Sequence, residues 1–290
     1  MATLKTIRRR IASVRSTQQI TRAMKLVAAS RLRRAQEALL NARPYYEALR
    51  RVADSVLASE QALAAARPAD HAASTVLMVT VASDRGLCGG YNANLMRATE
   101  QQARRLRTGG LEVKFFAVGR KALDHLRHTN TAIEGERINN LPRLATVALA
   151  REIAGKILAD YRTGAVREAG VVYSAFRSAL SQHPTYEKLL PIEPAAGEAD
   201  GAPATEYLIE PSAAELVPTV LRSYVEAAIF HALLEAEASE HGARMTAMDS
   251  ATNNAVEMIA RLTLEMNRAR QATITRELMD IVGGAEALRA

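Results

Sequence analysis

Residues 3–57 read TLKTIRRRIASVRSTQQITRAMKLVAASRLRRAQEALLNARPYYEALRRVADSVL, and one rhythm runs through the whole stretch. One seam takes Ile7, Val14, Thr21, Ala28, Ala35, Ala42, Leu49 and Val56. The other takes Ile11, Gln18, Lys25, Leu32, Leu39, Tyr46 and Ala53. The spacings alternate four and three without a slip. A repeat of about 3.5 residues keeps one stripe facing a partner, so the stretch predicts one helix of a left-handed coiled coil. At about 1.5 Å per residue it would reach about 80 Å. Gln18, Thr21 and Lys25 make the seam locally polar, and Pro44 predicts a local bend because it removes a helical N–H donor.

Such a stripe cannot bury itself alone, and the C-terminal end supplies a second one. Pro211-Ser212-Ala213-Ala214-Glu215 predicts a capping box, with Ser212 accepting a backbone N–H and Glu215 reaching back to the N-cap. After Pro218 the chain has no further proline, and Gly242 is the one glycine before Gly283-Gly284. The stripe Met245, Met248, Thr252, Ala255, Ile259, Leu262, Met266, Ala269 and Thr273 again alternates three and four. Charge points the same way. Residues 1–60 hold 13 basic and 4 acidic side chains, whereas residues 206–290 hold 7 and 13. A basic end and an acidic end predict that the two helices pair, antiparallel or oblique, with the middle of the chain closing the turn.

The middle differs in kind. Thr75–Ser83 is a continuous apolar, β-branched run, the mark of a strand buried on both faces. Residues 111–118 and 170–176 look similar, with helical patterns near 93–107, 119–128 and 142–160. Strand, helix, strand, helix, strand predicts an open, Rossmann-like α/β sheet. Residues 194–205 predict a surface loop, and Tyr207-Leu208-Ile209 a last edge strand. The fold class is therefore α+β overall: a long antiparallel two-helix coiled coil built from both termini, plus a central α/β domain. The segments run 1–60, 74–205 and 206–287.

Composition narrows the chemistry. The chain has 290 residues, 48% of them apolar, with no tryptophan and one cysteine, Cys88. No intramolecular disulfide is possible, and no apolar run of about 18 residues exists to span a membrane. Residues 1–36 are basic and acid-free, like a transit peptide, yet their heptads stay in register with those of residues 37–57. Ser83-Asp84-Arg85-Gly86-Leu87-Cys88-Gly89-Gly90-Tyr91-Asn92 stands where an α/β fold binds nucleotides. Its glycines do not make G-x-G-x-x-G, and no P-loop occurs. It is read as a tight turn needing positive φ, with a local Asp84–Arg85 ion pair. The six histidines do not cluster as metal ligands. Glu235 and Glu237 are read as a solvated helix face. The basic N-terminus could touch nucleic acid, but its apolar stripe is too regular for a tail. No catalytic, cofactor or metal site is expected. The polar C-terminal tip, 267–287, is too polar all round for a permanent core.

Ile274-Thr275, Glu277, Asp280, Gly284-Ala285 and Ala287 resemble the signature of the gamma subunit of F-type ATP synthases. Ile7–Val14, Thr21–Ser30 and Ser83–Gly90 agree with it, so nearly the whole chain is covered. The resemblance implies a non-catalytic rotor shaft, bacterial in type and turning inside three alpha and three beta subunits. It implies a foot that rests with the epsilon subunit on the c-ring, and a peripheral location at the cytoplasmic face of the inner membrane. Proton-driven rotation would cycle the beta sites through ATP synthesis or its reverse, with no nucleic-acid partner and no direct insertion in the membrane. It implies that Met24 and Lys25 face the lower lever of beta, and that Arg270, Gln271, Thr275 and Glu277 form the upper contact zone. A single cysteine departs from the redox-regulated plastid form.

Overall fold

The computed structural model describes residues 4–57, 73–138, 145–192 and 212–287, together with Ala62, Ala64, Ala66 and Glu210. In chain order the elements are α1 (Leu4–Val56), β1 (Thr75–Val81), α2 (Tyr91–Thr108), β2 (Glu112–Val118), α3 (Arg120–His128), β3 (Ile133–Arg137), α4 (Val147–Arg162), β4 (Glu168–Phe176), β5 (Gln182–Leu190) and α5 (Ala213–Ala287). The chain forms two compact units, one of Met1–Val27 with Met245–Ala290, the other of Ala28–Arg244. The segments 1–60, 74–205 and 206–287 follow secondary-structure type, whereas these units follow packing. Helices α1 and α5 have a part in both.

The larger unit is built on a five-stranded sheet in the order β3-β2-β1-β4-β5. The first four strands are parallel, and β5 returns antiparallel beside β4. Every residue of β1 is buried, as expected of a central parallel strand covered on both faces. Successive side chains alternate between two cores. Leu77, Val79 and Val81 join Ile153 and Ile157 of α4, Tyr46 and Ala53 of α1, and Val225, Ile229 and Leu233 of α5. Met78, Phe115 and Val172 join Leu95 and Met96 of α2 and Leu123 and Leu126 of α3. Each fully buried side chain of this size contributes about 2 kcal/mol by leaving water.

Two strands were not foreseen in the sequence. Strand β3, Ile-Glu-Gly-Glu-Arg, is a short polar edge with an exposed or half-exposed pattern. Strand β5 contains Pro184, which an edge strand tolerates because one side of its ladder is free. The expected loop at 194–205 and strand at Tyr207–Ile209 lie outside the described residues, as does most of 58–73. Helix α4 starts later than the pattern implied, because Thr146 caps it, its Oγ1 accepting from the Leu149 N–H at 3.2 Å. Thr146→Ala should lower stability by about 1 kcal/mol, read as a fall in the urea midpoint at unchanged slope. Gly119 lies at φ +90, and a Cβ there would sit 2.1 Å from the Ala82 carbonyl oxygen. Only glycine lets the end of β2 pass so close to the end of β1.

Helix α5 begins as the capping box predicts in one half only. Ser212 Oγ accepts from the Glu215 N–H at 3.3 Å. Among the described residues the Glu215 carboxylate accepts from the Ser212 hydroxyl at 3.0 Å and not from a backbone N–H. Along α1, every seam position from Ile7 to Val56 is buried or half-buried, and the helix continues on both sides of Pro44.

Candidate functional site

The turn after β1 is where an α/β sheet would hold a ligand, since the strand order reverses between β1 and β4. That crevice is filled by the chain's own α5. Ser239 donates its hydroxyl to the Ser174 carbonyl at the end of β4, at 2.8 Å. The Tyr91 hydroxyl donates to the Ala236 carbonyl at 3.3 Å. Gly242 packs against Ala179 and Phe176. No residue of α5 from Tyr224 to Arg244 is exposed.

The turn itself is tied inward. Ser83 Oγ donates to the Arg85 carbonyl at 2.7 Å. The Ser83 N–H, which a phosphate cradle would aim at its ligand, goes to Asn92 Oδ1 at 3.3 Å. Positive φ falls at Leu87 and Gly89, not at Gly86 or Gly90. The anticipated Asp84–Arg85 pair is absent among the described residues. Asp84 instead accepts from the backbone N–H of Arg120, where α3 starts with unsatisfied donors. Arg244 reaches the turn from α5, donating to the carbonyls of Arg85 and Gly86 at 3.5 and 3.4 Å while Glu240 holds it at 2.7 Å. Cys88 is buried, accepts from Asn92 Nδ2 at 3.2 Å, and burial pushes its thiol pKa up. A thiol raised by burial is a poor nucleophile at neutral pH.

The solvated face assigned to Glu235 and Glu237 is wrong, for both are buried. Glu235 accepts from the Phe176 N–H, and Glu237 from the Ala145 N–H at 3.1 Å. Burial forced this. Apolar residues of Val225–Ala243 fall on every side of the helix and the stretch is enclosed, so the acids among them must find donors inside the protein. The sequence signal for this enclosure is the spread of apolar residues around the helix, not the two acids themselves. Nearby, Glu187 accepts from the hydroxyls of Tyr46 and Tyr173 at 2.6 and 3.0 Å, and His231 stacks on Tyr46 with centroids 4.5 Å apart. His125 bonds Glu100 at 2.8 Å, and no metal-holding cluster exists among the described residues.

In the smaller unit, α1 and α5 run antiparallel along one seam. Ile7 and Ile11 pack with Leu262, flanked by Val14, Ile259, Met266 and Ala269. Thr21 and Thr252 share a hydroxyl hydrogen bond at 2.8 Å, and Lys25 pairs with Asp249 at 2.6 Å. The polar seam positions therefore face each other. Met24 is half-buried beside them. The pairing stops at Ala269. Thr273, though on the predicted stripe, is exposed, as are Arg270, Gln271, Thr275 and Glu277. From Arg270 to Ala285 every side chain is exposed, including Ile274, Leu278, Ile281 and Val282.

A family model described as ATP synthase matches residues 3–288. The ATP synthase gamma chain of Geobacter sp. strain M21 is 44% identical over 289 residues, spanning 100% of both chains. That of Desulfitobacterium hafniense strain DCB-2 is 46% identical over 293 residues, covering 99% of this chain and 100% of its own. The chain belongs to the ATP synthase gamma-chain family. Among solved structures, a chain of the Euglena gracilis mitochondrial ATP synthase, described as OSCP/F1/c-ring in rotational state 3, superposes with a TM-score of 0.68 at 21% identity. It covers 99% of this chain and 95% of its own. A chain of the Tetrahymena thermophila mitochondrial ATP synthase central stalk and c-ring gives 0.59 at 23% identity, covering 80% and 99%. At such identities the likeness is one of fold, and it covers 80–99% of this chain. The crevice filled by α5 is thus a feature of a gamma chain whose sheet domain has the layout of a nucleotide-binding fold.

Proposed function

We propose that this gamma chain is the central rotor shaft of an F-type ATP synthase, itself non-catalytic. Proton-driven rotation of a c-ring would be delivered through the sheet domain to the helix pair. The helix pair would then drive the beta subunits through their ATP-synthesis cycle, or be driven by them in reverse. One observation carries this proposal: the paired seam ends at Ala269, yet α5 continues to Ala287 with every described side chain from Arg270 onward exposed. Exposed Ile274, Leu278, Ile281 and Val282 beside charged neighbours suit a sleeve supplied by other chains.

In this proposal Arg270, Gln271, Thr275 and Glu277 meet the upper sleeve of three alpha and three beta subunits, and Met24 and Lys25 meet the lower lever of beta. Contacts of exposed charges are worth about 0–1 kcal/mol each, weak enough to be exchanged at every step. The epsilon subunit and c-ring contact the sheet domain, and the complex sits at the cytoplasmic face of the membrane. No helix among the described residues is long and apolar enough to cross a membrane, which suits peripheral attachment.

The test is assembly and rotation. The chain is co-expressed with alpha and beta subunits and carries Leu180→Cys, at a position 85% exposed, for a bead. Buried Cys88 leaves that thiol as the selective label. The expected result is a complex that hydrolyses ATP and turns the bead through three dwell positions. A chain that elutes alone, or a bead that never turns in an active complex, removes the proposal.

A further inference from the structure

We infer that the polar row of α5 from Glu235 to Arg244 is the joint that passes turning force between the sheet domain and the long helix. The inference rests on the rotor proposal and names the residues that make it mechanically possible.

A helix enclosed by apolar side chains is held against rotation about its own axis only by the interdigitation of those side chains. Hydrophobic contact itself is non-directional, so it adds no orientational preference beyond that packing. Hydrogen bonds lose strength steeply as their angle departs from linear, so they resist slip. A purely apolar segment would lack this directional restraint. The enclosed segment of α5 instead carries five polar groups that cross to the sheet domain. Glu235 accepts from the Phe176 N–H, and Ser239 donates to the Ser174 carbonyl at 2.8 Å. Glu237 accepts from the Ala145 N–H at 3.1 Å. Arg244 donates to the carbonyls of Arg85 and Gly86, and the Ala236 carbonyl accepts from Tyr91.

Two features make this a joint and not only glue. First, the partners of the side chains on α5 are backbone atoms. They belong to the end of β4, the residue before the cap of α4, and the turn after β1. Force therefore enters main chain, in the sheet or next to it, and not a side chain free to change rotamer. Second, the grips oppose each other. At about 100° per residue, Ser239 lies about 40° from Glu235, while Glu237 and Arg244 lie about 200° and 180° from it. Two grips on opposite sides of one axis form a couple and resist turning in both senses, as synthesis and hydrolysis would each require. Glu240, nearly buried and paired with Arg244 at 2.7 Å, fixes the arginine's head.

The test compares how much ion transport accompanies each ATP. The assembled enzyme in vesicles carries either E235A/E237A/S239A or E235Q/E237Q in this chain. The glutamine carbonyl still accepts both N–H groups, whereas alanine accepts neither. For the alanine variant we expect hydrolysis within about twofold of the unaltered enzyme and ATP-driven proton uptake per ATP lower by about fivefold or more. The glutamine variant should keep its uptake. Unchanged uptake per ATP in the alanine variant overturns the joint, as does a glutamine variant that loses as much as the alanine one. Should the triple variant fail to assemble, Ser239→Ala alone decides the matter. It should slip when uptake works against a rising proton gradient, and unaltered coupling at every gradient overturns the joint. An unaltered chain that never binds alpha and beta would remove the rotor proposal itself, a distinct result.

Discussion

Leu262→Asp should open the helix pair of the smaller unit and leave the sheet domain folded. Leu262 is buried against Ile7 and Ile11, with Val14, Ile259, Met266 and Ala269 around it. Removing the leucine forfeits its burial and leaves a cavity, and the carboxylate put in its place meets no donor among those apolar neighbours. The two effects together cost about 4 kcal/mol. Among the described residues of the smaller unit this small cluster is the apolar contact that holds the pair. Hydrogen exchange should quicken around residues 7–14 and 259–266 while amides of β1 and β4 stay protected. Leu262→Met, which conserves volume, should cost under about 1.5 kcal/mol. Unchanged exchange in the aspartate variant would mean that the seam does not hold the pair.

Acid should weaken the larger unit well before its carboxylates titrate as a class, and His241 should account for a distinct part of the loss. Its ring is buried, and Arg244, Arg31 and Arg34 face it, so burial first and these cations second lower its pKa to about 4. In the unfolded chain a histidine titrates near 6.5, so between about pH 6.5 and 4 only the unfolded state takes up the proton. Stability from this group is complete above about pH 6.5 and is lost as pH falls toward 4, a change of about 3 kcal/mol. His231, also lowered by burial, adds in the same direction. Glu240 opposes, because burial raises its pKa and the native state gains a proton first as pH falls. His241→Gln should therefore flatten the urea-derived stability profile between pH 7 and pH 4 relative to the unaltered chain. Parallel profiles would show that the ring is not shielded as described.

Much of this architecture was legible because periodicity survives in the residues themselves. The heptads of α1 gave each seam position that proved buried, and β1 declared itself by seven apolar or β-branched residues in a row. What stayed hidden was decided by partners, not by local pattern. Strand β3 is polar because an edge faces water on its outer side, and β5 hid behind Pro184, which only its edge position permits. The same limit governed the site. Glu235 and Glu237 look like surface residues one at a time, and only the apolar surroundings on all sides of Val225–Ala243 mark them as enclosed. Thr273 failed in the opposite sense. It continues the stripe in register but is exposed, past the packed seam that ends at Ala269. Asp84 found a stronger claim than its neighbour Arg85 in the unsatisfied N–H at the start of α3.

The filled crevice has a consequence beyond mechanics. A sheet of this layout normally meets its ligand from solution, and the bound fraction then depends on the ligand's concentration. Here the occupant is residues 224–244 of the same chain, so its local concentration is set by covalent linkage. Dilution cannot empty the crevice, and a free nucleotide would have to displace a buried helix with its hydrogen bonds to enter it. The turn where a sheet of this layout would otherwise hold a nucleotide is thereby occupied by the chain's own helix.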